Sequence, residues 1–111
     1  MHGAKYKALL ESSRRCVRVG ERALRHAREM LRRNDASMGA ATKAFYDLVK
    51  ACAELAKLAG TNSARTPKKA KQVARVCEKC KKEADKWPSY AEAKAAAEAC
   101  KKCAEECRKV A

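Results

Sequence analysis

Apolar and polar positions alternate along this chain at spacings of three and four, the period of helices that each bury one face, over four stretches separated by three breaks. The first stretch runs from about Lys5 to Arg33 and stops at Asn34-Asp35-Ala36-Ser37, where Ser37 is placed to cap a second helix reaching Ala59. Gly60-Thr61-Asn62-Ser63 then supplies a C-terminal glycine and a polar loop. Thr66-Pro67 reads as an N-cap with proline at the first helical position of a third helix. That helix ends near Trp87 because Pro88 blocks continuation. Ser89, with Glu92 three residues on, forms the capping box of a fourth helix running to the C-terminus.

Each stretch carries an inward stripe of bundle type. Helix one presents Leu9, Ser13, Cys16, Gly20, Ala23, Ala27 and Met30, and helix two presents Ala41, Phe45, Leu48, Cys52, Leu55 and Ala59. Helix three presents Ala70, Val73, Cys77, Cys80, Ala84 and Trp87, and helix four Ala93, Ala96, Cys100, Cys103, Cys107 and Val110. Short connections make consecutive helices antiparallel. The expected fold is therefore all-α, an antiparallel up-down-up-down four-helix bundle, with residues 1–111 forming one domain.

Composition sharpens this picture. The apolar fraction is 47%, but 24 of those residues are Ala and 7 are Cys, against 7 Leu, 6 Val and no Ile, so the aliphatic core is thin. The wealth of Ala, Glu, Lys and Arg, with 4 Gly and 2 Pro, excludes an all-β or βαβ fold. No uncharged apolar run is long enough to span a membrane, and Met1-His2-Gly3-Ala4-Lys5 lacks the apolar stretch of a secretory signal, so a cytoplasmic location and no membrane partner are expected.

All seven cysteines fall on inward stripes, where leucine would be expected. Seven thiols cannot all pair, and the helical chain is unlike a secreted disulfide framework, so reduced thiols are expected. In antiparallel packing Cys16, Cys52, Cys77, Cys80, Cys100, Cys103 and Cys107 gather toward one end, and alanines fill the other half. Pairs three or four apart, Cys77 with Cys80 and Cys100 with Cys103 and Cys107, place sulfurs on one helix face, close enough to share or bridge metal ions. Thiolates in a dry bundle favour a soft ion. Several Cu(I) ions, which accept low coordination and sulfur bridges, suit seven thiols better than zinc, whose four-ligand sites they fill once with three left over. Two rival readings exist: cysteine as a small buried hydrophobe, and a redox dithiol. Leucine would pack the first better, and the second wants an accessible, electropositive thiol, commonly after a strand.

At these residues the chain resembles the copper storage proteins, cysteine-rich four-helix bundles, and within them the exported branch. The resemblance rests on Gly3-Ala4 through Leu10, on Asn34-Asp35-Ala36-Ser37-Met38-Gly39, on Leu55-Ala56-Lys57-Leu58-Ala59-Gly60-Thr61-Asn62-Ser63-Ala64, and on Cys103-Ala104-Glu105-Glu106-Cys107. It implies non-catalytic storage of multiple Cu(I) ions on core cysteines. It also implies a copper mouth to which His26, Met30 and Met38 correspond, left as a vestigial access site or a closure of the bundle. At Ala23, Ala27, Ala41, Ala84, Ala93 and Ala96 the family pattern would place cysteine, so the chain looks like an engineered relative with fewer thiols. Trp87, Phe45 and Tyr90 read as packing residues.

The net charge of +14 supports another function, binding of polyanions or nucleic acid with cysteines that only pack. Yet the basic residues are spread over several faces, among them Arg14, Arg18, Arg22, Arg25, Arg28 and Arg32 on helix one and Lys68, Lys69, Arg75, Lys79, Lys82 and Lys86 on helix three. Glu11, Glu21, Glu54, Glu78 and Glu98 are interspersed, and only 5% of the chain is aromatic. Nonspecific, salt-sensitive binding is expected, with no specific nucleic-acid partner. Like charge on the helix faces opposes self-association and predicts a monomer, a tetramer being the family-like alternative.

Overall fold

A computed structural model describes residues 5–111; Met1–Ala4, including the Gly3-Ala4 of the first quoted run and most of the stretch read for a signal, lie outside the described residues. Four α-helices follow one another: α1 Lys7–Arg32, α2 Gly39–Gly60, α3 Thr66–Ala84 and α4 Ala91–Val110, with a 3₁₀ turn at Ala36–Met38. The body is a rod of 48 × 19 × 18 Å. Helix α1 packs on α2 and α4, and α3 packs on the same two, leaving α1 and α3 on one diagonal of a square. Contacts between neighbours run in opposite senses: Leu10 lies against Gly60 and Gly20 against Leu48, while His26 meets Tyr90 and Cys16 meets Cys103. These contacts are consistent with the up-down-up-down arrangement. No described helix is long and apolar enough to cross a membrane.

The helix ends depart from the capping expected of the sequence. Asn34 (φ 66°) and Asn62 (φ 52°) take the left-handed conformation just after α1 and α2. In the first turn Asp35 N–H donates to Met30 C=O and Asn34 N–H to Leu31 C=O, at 3.0 and 2.9 Å; Ser63 N–H to Leu58 and Asn62 N–H to Ala59 repeat the pattern at 3.0 and 3.2 Å. Both are Schellman closures that use asparagine where glycine is commonest. Gly60 is thus still helical, and the polar loop begins one residue later than the glycine suggested. Ser37 does not cap α2: Asp35 accepts its N–H at 3.2 Å and caps the 3₁₀ turn, while Met38 stands at the α2 boundary. Thr66 lies inside α3 with Arg65 at the boundary, and α3 ends at Ala84, before Trp87. Tyr90, with extended backbone and no capping side chain, precedes α4, so Ser89 does not form a capping box. In each case a tight inter-helix turn consumes the residue that propensity had set aside as a cap.

With the axial register known, the stripes resolve into levels that each take one residue per helix. Cys16, Cys52, Cys77 and Cys103 form the central level. A step of three or four toward the start of α1 reaches Ser13, Leu55, Val73 and Cys107, and the next reaches Leu9, Ala59, Ala70 and Val110. In the other direction come Gly20, Leu48, Cys80 and Cys100, then Ala23, Phe45, Ala84 and Ala96, then Ala27, Ala41, Trp87 and Ala93. All are buried except Val110 and Trp87, which are half-buried. Gly20 has a packing reason: a Cβ there would stand 3.0 Å from Val49 Cγ2 and 3.3 Å from Leu48 Cδ2, so its absence lets α1 and α2 close at this level.

Candidate metal centre

The seven cysteines are free thiols, all at most 1% exposed. They occupy three consecutive levels in the middle of the rod. The expectation that they gather at one end is therefore corrected, because Leu9, Ala59 and Ala70, with Tyr6 and Thr66, fill that end beyond them. At the central level α1, α2, α3 and α4 contribute Cys16, Cys52, Cys77 and Cys103, whose Sγ atoms all lie within 4.8 Å of one another. Cys80 and Cys100 share the level on one side and Cys107 stands on the other. Cys100 neighbours Cys16, Cys77 and Cys80, and Cys107 neighbours Cys103. One thiol also reaches the backbone: Cys16 Sγ donates to Ala99 C=O at 3.2 Å.

This network separates the thiols by acidity. The neighbouring thiols, Cys107 first, then Cys16, Cys52 and Cys77, hold Cys103 far below the ordinary thiol range. Cys16 is lowered to about 5, chiefly by its bond from Cys100. Four of the other thiols move the other way. Cys103 raises Cys52 and Cys107, and Cys16 raises Cys100, burial adding to each. Cys77 is raised although Cys100 pulls it down, because Cys103, Cys16 and burial outweigh that bond.

The raised thiols set a pH dependence. In the folded chain Cys52, Cys77, Cys100 and Cys107 stay protonated where an unfolded thiol ionises, so above about pH 9 the unfolded chain binds fewer protons and stability falls as pH rises. The lowered Cys16 and Cys103 contribute their full stabilisation above the unfolded value and do not offset this fall. Each raised thiol costs up to about 1.4 kcal/mol per pH unit. The melting temperature of the reduced, metal-free protein is therefore expected to drop between about pH 9 and 10, before lysine titrates; a flat profile would contradict the network.

His26, Met30 and Met38 lie away from the thiols. His26 is ten residues from Cys16 on α1, about 15 Å along the axis. Its half-buried ring meets Tyr90 edge-on at 4.9 Å, and Trp87 stacks on the other side of Tyr90 at 5.9 Å. Met38 is fully buried and Met30 half-buried, so these residues close the far end together with the aromatic group. A groove of about 370 Å³ between α3 and α4 does reach Cys77 and Cys100, passing Ala104 and the Glu78–Arg108 ion pair. The sequence pattern marked all seven thiols but not this groove, nor the sharing of one level by four of them. The available signal was one cysteine near the middle of every helix.

No curated protein matches the chain. The copper storage protein family matches residues 2–111, that is, the four helices, all seven cysteines and the connections between them. The match spans the bundle and the thiols that every helix contributes to its centre, and the chain belongs to the copper storage protein family.

Proposed function

We propose that this chain stores copper as several Cu(I) ions held in one thiolate-bridged cluster on Cys16, Cys52, Cys77, Cys80, Cys100, Cys103 and Cys107, without catalysis. The observation that carries the reading is the central level, with one sulfur from each helix and mutual separations within 4.8 Å. Cu(I) accepts two or three sulfur ligands and lets one sulfur bridge two ions, so three adjacent levels of thiols suit a continuous cluster. The site is dry and all-sulfur, which favours a soft monovalent ion over harder ones. Deposition exchanges the protons of the thiols that still carry them for metal bonds, so loading releases protons and strengthens with pH. The seven sulfurs bound the capacity near one copper per thiol.

The test is an anaerobic Cu(I) titration of the reduced protein, followed by thiolate-to-copper charge transfer in the ultraviolet and repeated against a strong Cu(I) chelator. Several tightly held equivalents are expected, with Cys103→Ala and Cys77→Ala each lowering the number. Absence of tight binding would leave a basic bundle whose cysteines only pack. The protein acts as a monomer in this reading, since its net charge of +14 spreads like charge over the outer faces. Light scattering on the eluting peak should give a mass near 12.2 kDa, and a stable tetramer would refute it.

A further inference from the structure

We propose that the central level is also a discrete site for one divalent ion of tetrahedral preference, of the zinc class, formed by Cys16, Cys52, Cys77 and Cys103, one thiolate from each helix. The sulfurs stand within 4.8 Å of one another before any ion is present. A tetrahedral zinc with Zn–S bonds of about 2.3 Å has sulfur–sulfur edges of about 3.8 Å, so closure draws in the longest edge by only about 1 Å. Small rotations about the cysteine Cα–Cβ bonds supply that movement, and the four donors come from four directions around the bundle axis.

Among the described residues no other level can do this. Cys80 and Cys100 share theirs with Gly20 and Leu48, and Cys107 shares its own with Ser13, Leu55 and Val73. The Ser13 hydroxyl is already donated to the Leu9 carbonyl at 2.9 Å. The nearby carboxylate of Glu106 is held on the outside by Lys109 and Lys102, at 3.0 and 3.2 Å. The expected capacity for such an ion is therefore one. Four thiolates around a divalent ion leave two negative charges in a dry core, which need hydrogen-bond donors. Cys100, beside Cys16, Cys77 and Cys80, and Cys107, beside Cys103, are the neighbouring thiols placed to supply them. The set then divides into four central ligands and three flanking thiols. The same core then distinguishes metals by number, one tetrahedral divalent ion or several Cu(I) ions.

The site shares sulfurs with the proposed copper cluster but does not depend on it, and the test separates the two. The full-length, reduced, copper-free protein is titrated anaerobically with Co²⁺, whose intense ligand-field bands report a tetrahedral tetrathiolate. Saturation at one equivalent is expected, followed by stoichiometric loss of the bands on adding Zn²⁺. Cys103→Ser is expected to weaken cobalt binding at least tenfold and to change the band pattern. Cys80→Ser should lower the Cu(I) capacity yet keep one tetrahedral cobalt. Circular dichroism confirms that each variant folds, and Cys52→Ser replaces Cys103→Ser if that one does not. Pale octahedral cobalt, several equivalents, or bands unchanged in the folded central-level variant would overturn the assignment. Copper binding without cobalt binding overturns this proposal alone; cobalt binding without copper binding overturns the copper reading alone.

Discussion

Filling the thiol levels with Cu(I) is expected to raise the melting temperature of this protein by tens of degrees. Binding to the folded chain alone stabilises it by RT ln(1 + [L]/Kd), about 4 kcal/mol for one site at a thousandfold excess over Kd. In a domain of this size 1 kcal/mol moves the midpoint by roughly 4 °C, so even one such site adds about 15 °C and several add more. The effect should be large here because the apo core is weakly built. Its central three levels hold seven cysteines, and Leu48, Leu55 and Val73 are the only large aliphatic side chains among them. Metal bonds would tie all four helices together at the point where apolar burial is smallest. Thermal melts of the reduced protein with and without copper, followed by helical circular dichroism, provide the measurement. The double variant Cys16→Ala/Cys77→Ala should lose most of the shift; its apo midpoint also falls, because two buried sulfurs leave small cavities, so the shift is read against the variant's own apo midpoint. An unchanged midpoint on loading the parent protein would place copper outside the core.

The limits of the sequence reading follow from what periodicity encodes. Spacings of three and four fix the angle at which a residue leaves its helix, and every residue named on the four stripes is buried or half-buried. They do not fix how far one helix is slid along the next, which depends on how each connection is closed. Asn34 and Asn62 end α1 and α2 by left-handed closures that propensity assigned to Gly60 or to plain polar loop. Those closures bring Cys16, Cys52, Cys77 and Cys103 to one level and leave Leu9, Ala59, Ala70 and Val110 beyond them, which is why the thiols sit mid-rod. Met38, in the 3₁₀ turn before α2, is fully buried, as a closure of the bundle at that end requires. The site's composition was legible because thiols on inward faces are a chemical signal. Its division into four central and three flanking thiols was not, because that division is a matter of axial register.

Phe45→Ala is expected to be the most damaging single substitution in the half of the bundle that has no thiols, with a loss of about 4 kcal/mol. Phe45 is 1% exposed and is the largest of the fully buried side chains. The other three residues of its level are Ala23, Ala84 and Ala96, so its ring alone fills the space between four helices there. Removing it leaves a cavity bordered by methyl groups that have no rotamers with which to close it, and relaxation would require the helices themselves to move. That places the cost in the upper part of the range for buried aromatic truncation. A domain of this length has a total stability of roughly 5–15 kcal/mol, so the variant should unfold at far lower urea than the parent and approach marginal stability without metal. Since Phe45 lies two levels from Cys16 and contributes no ligand, its loss should leave copper capacity intact in molecules that fold, and copper should restore the folded population. Equilibrium urea unfolding, with and without Cu(I), measures both parts. A loss below about 1 kcal/mol would mean that the alanine half collapses freely around the missing ring. A variant that folds yet holds fewer copper ions would mean that the metal reaches beyond the thiol levels into the space Phe45 fills.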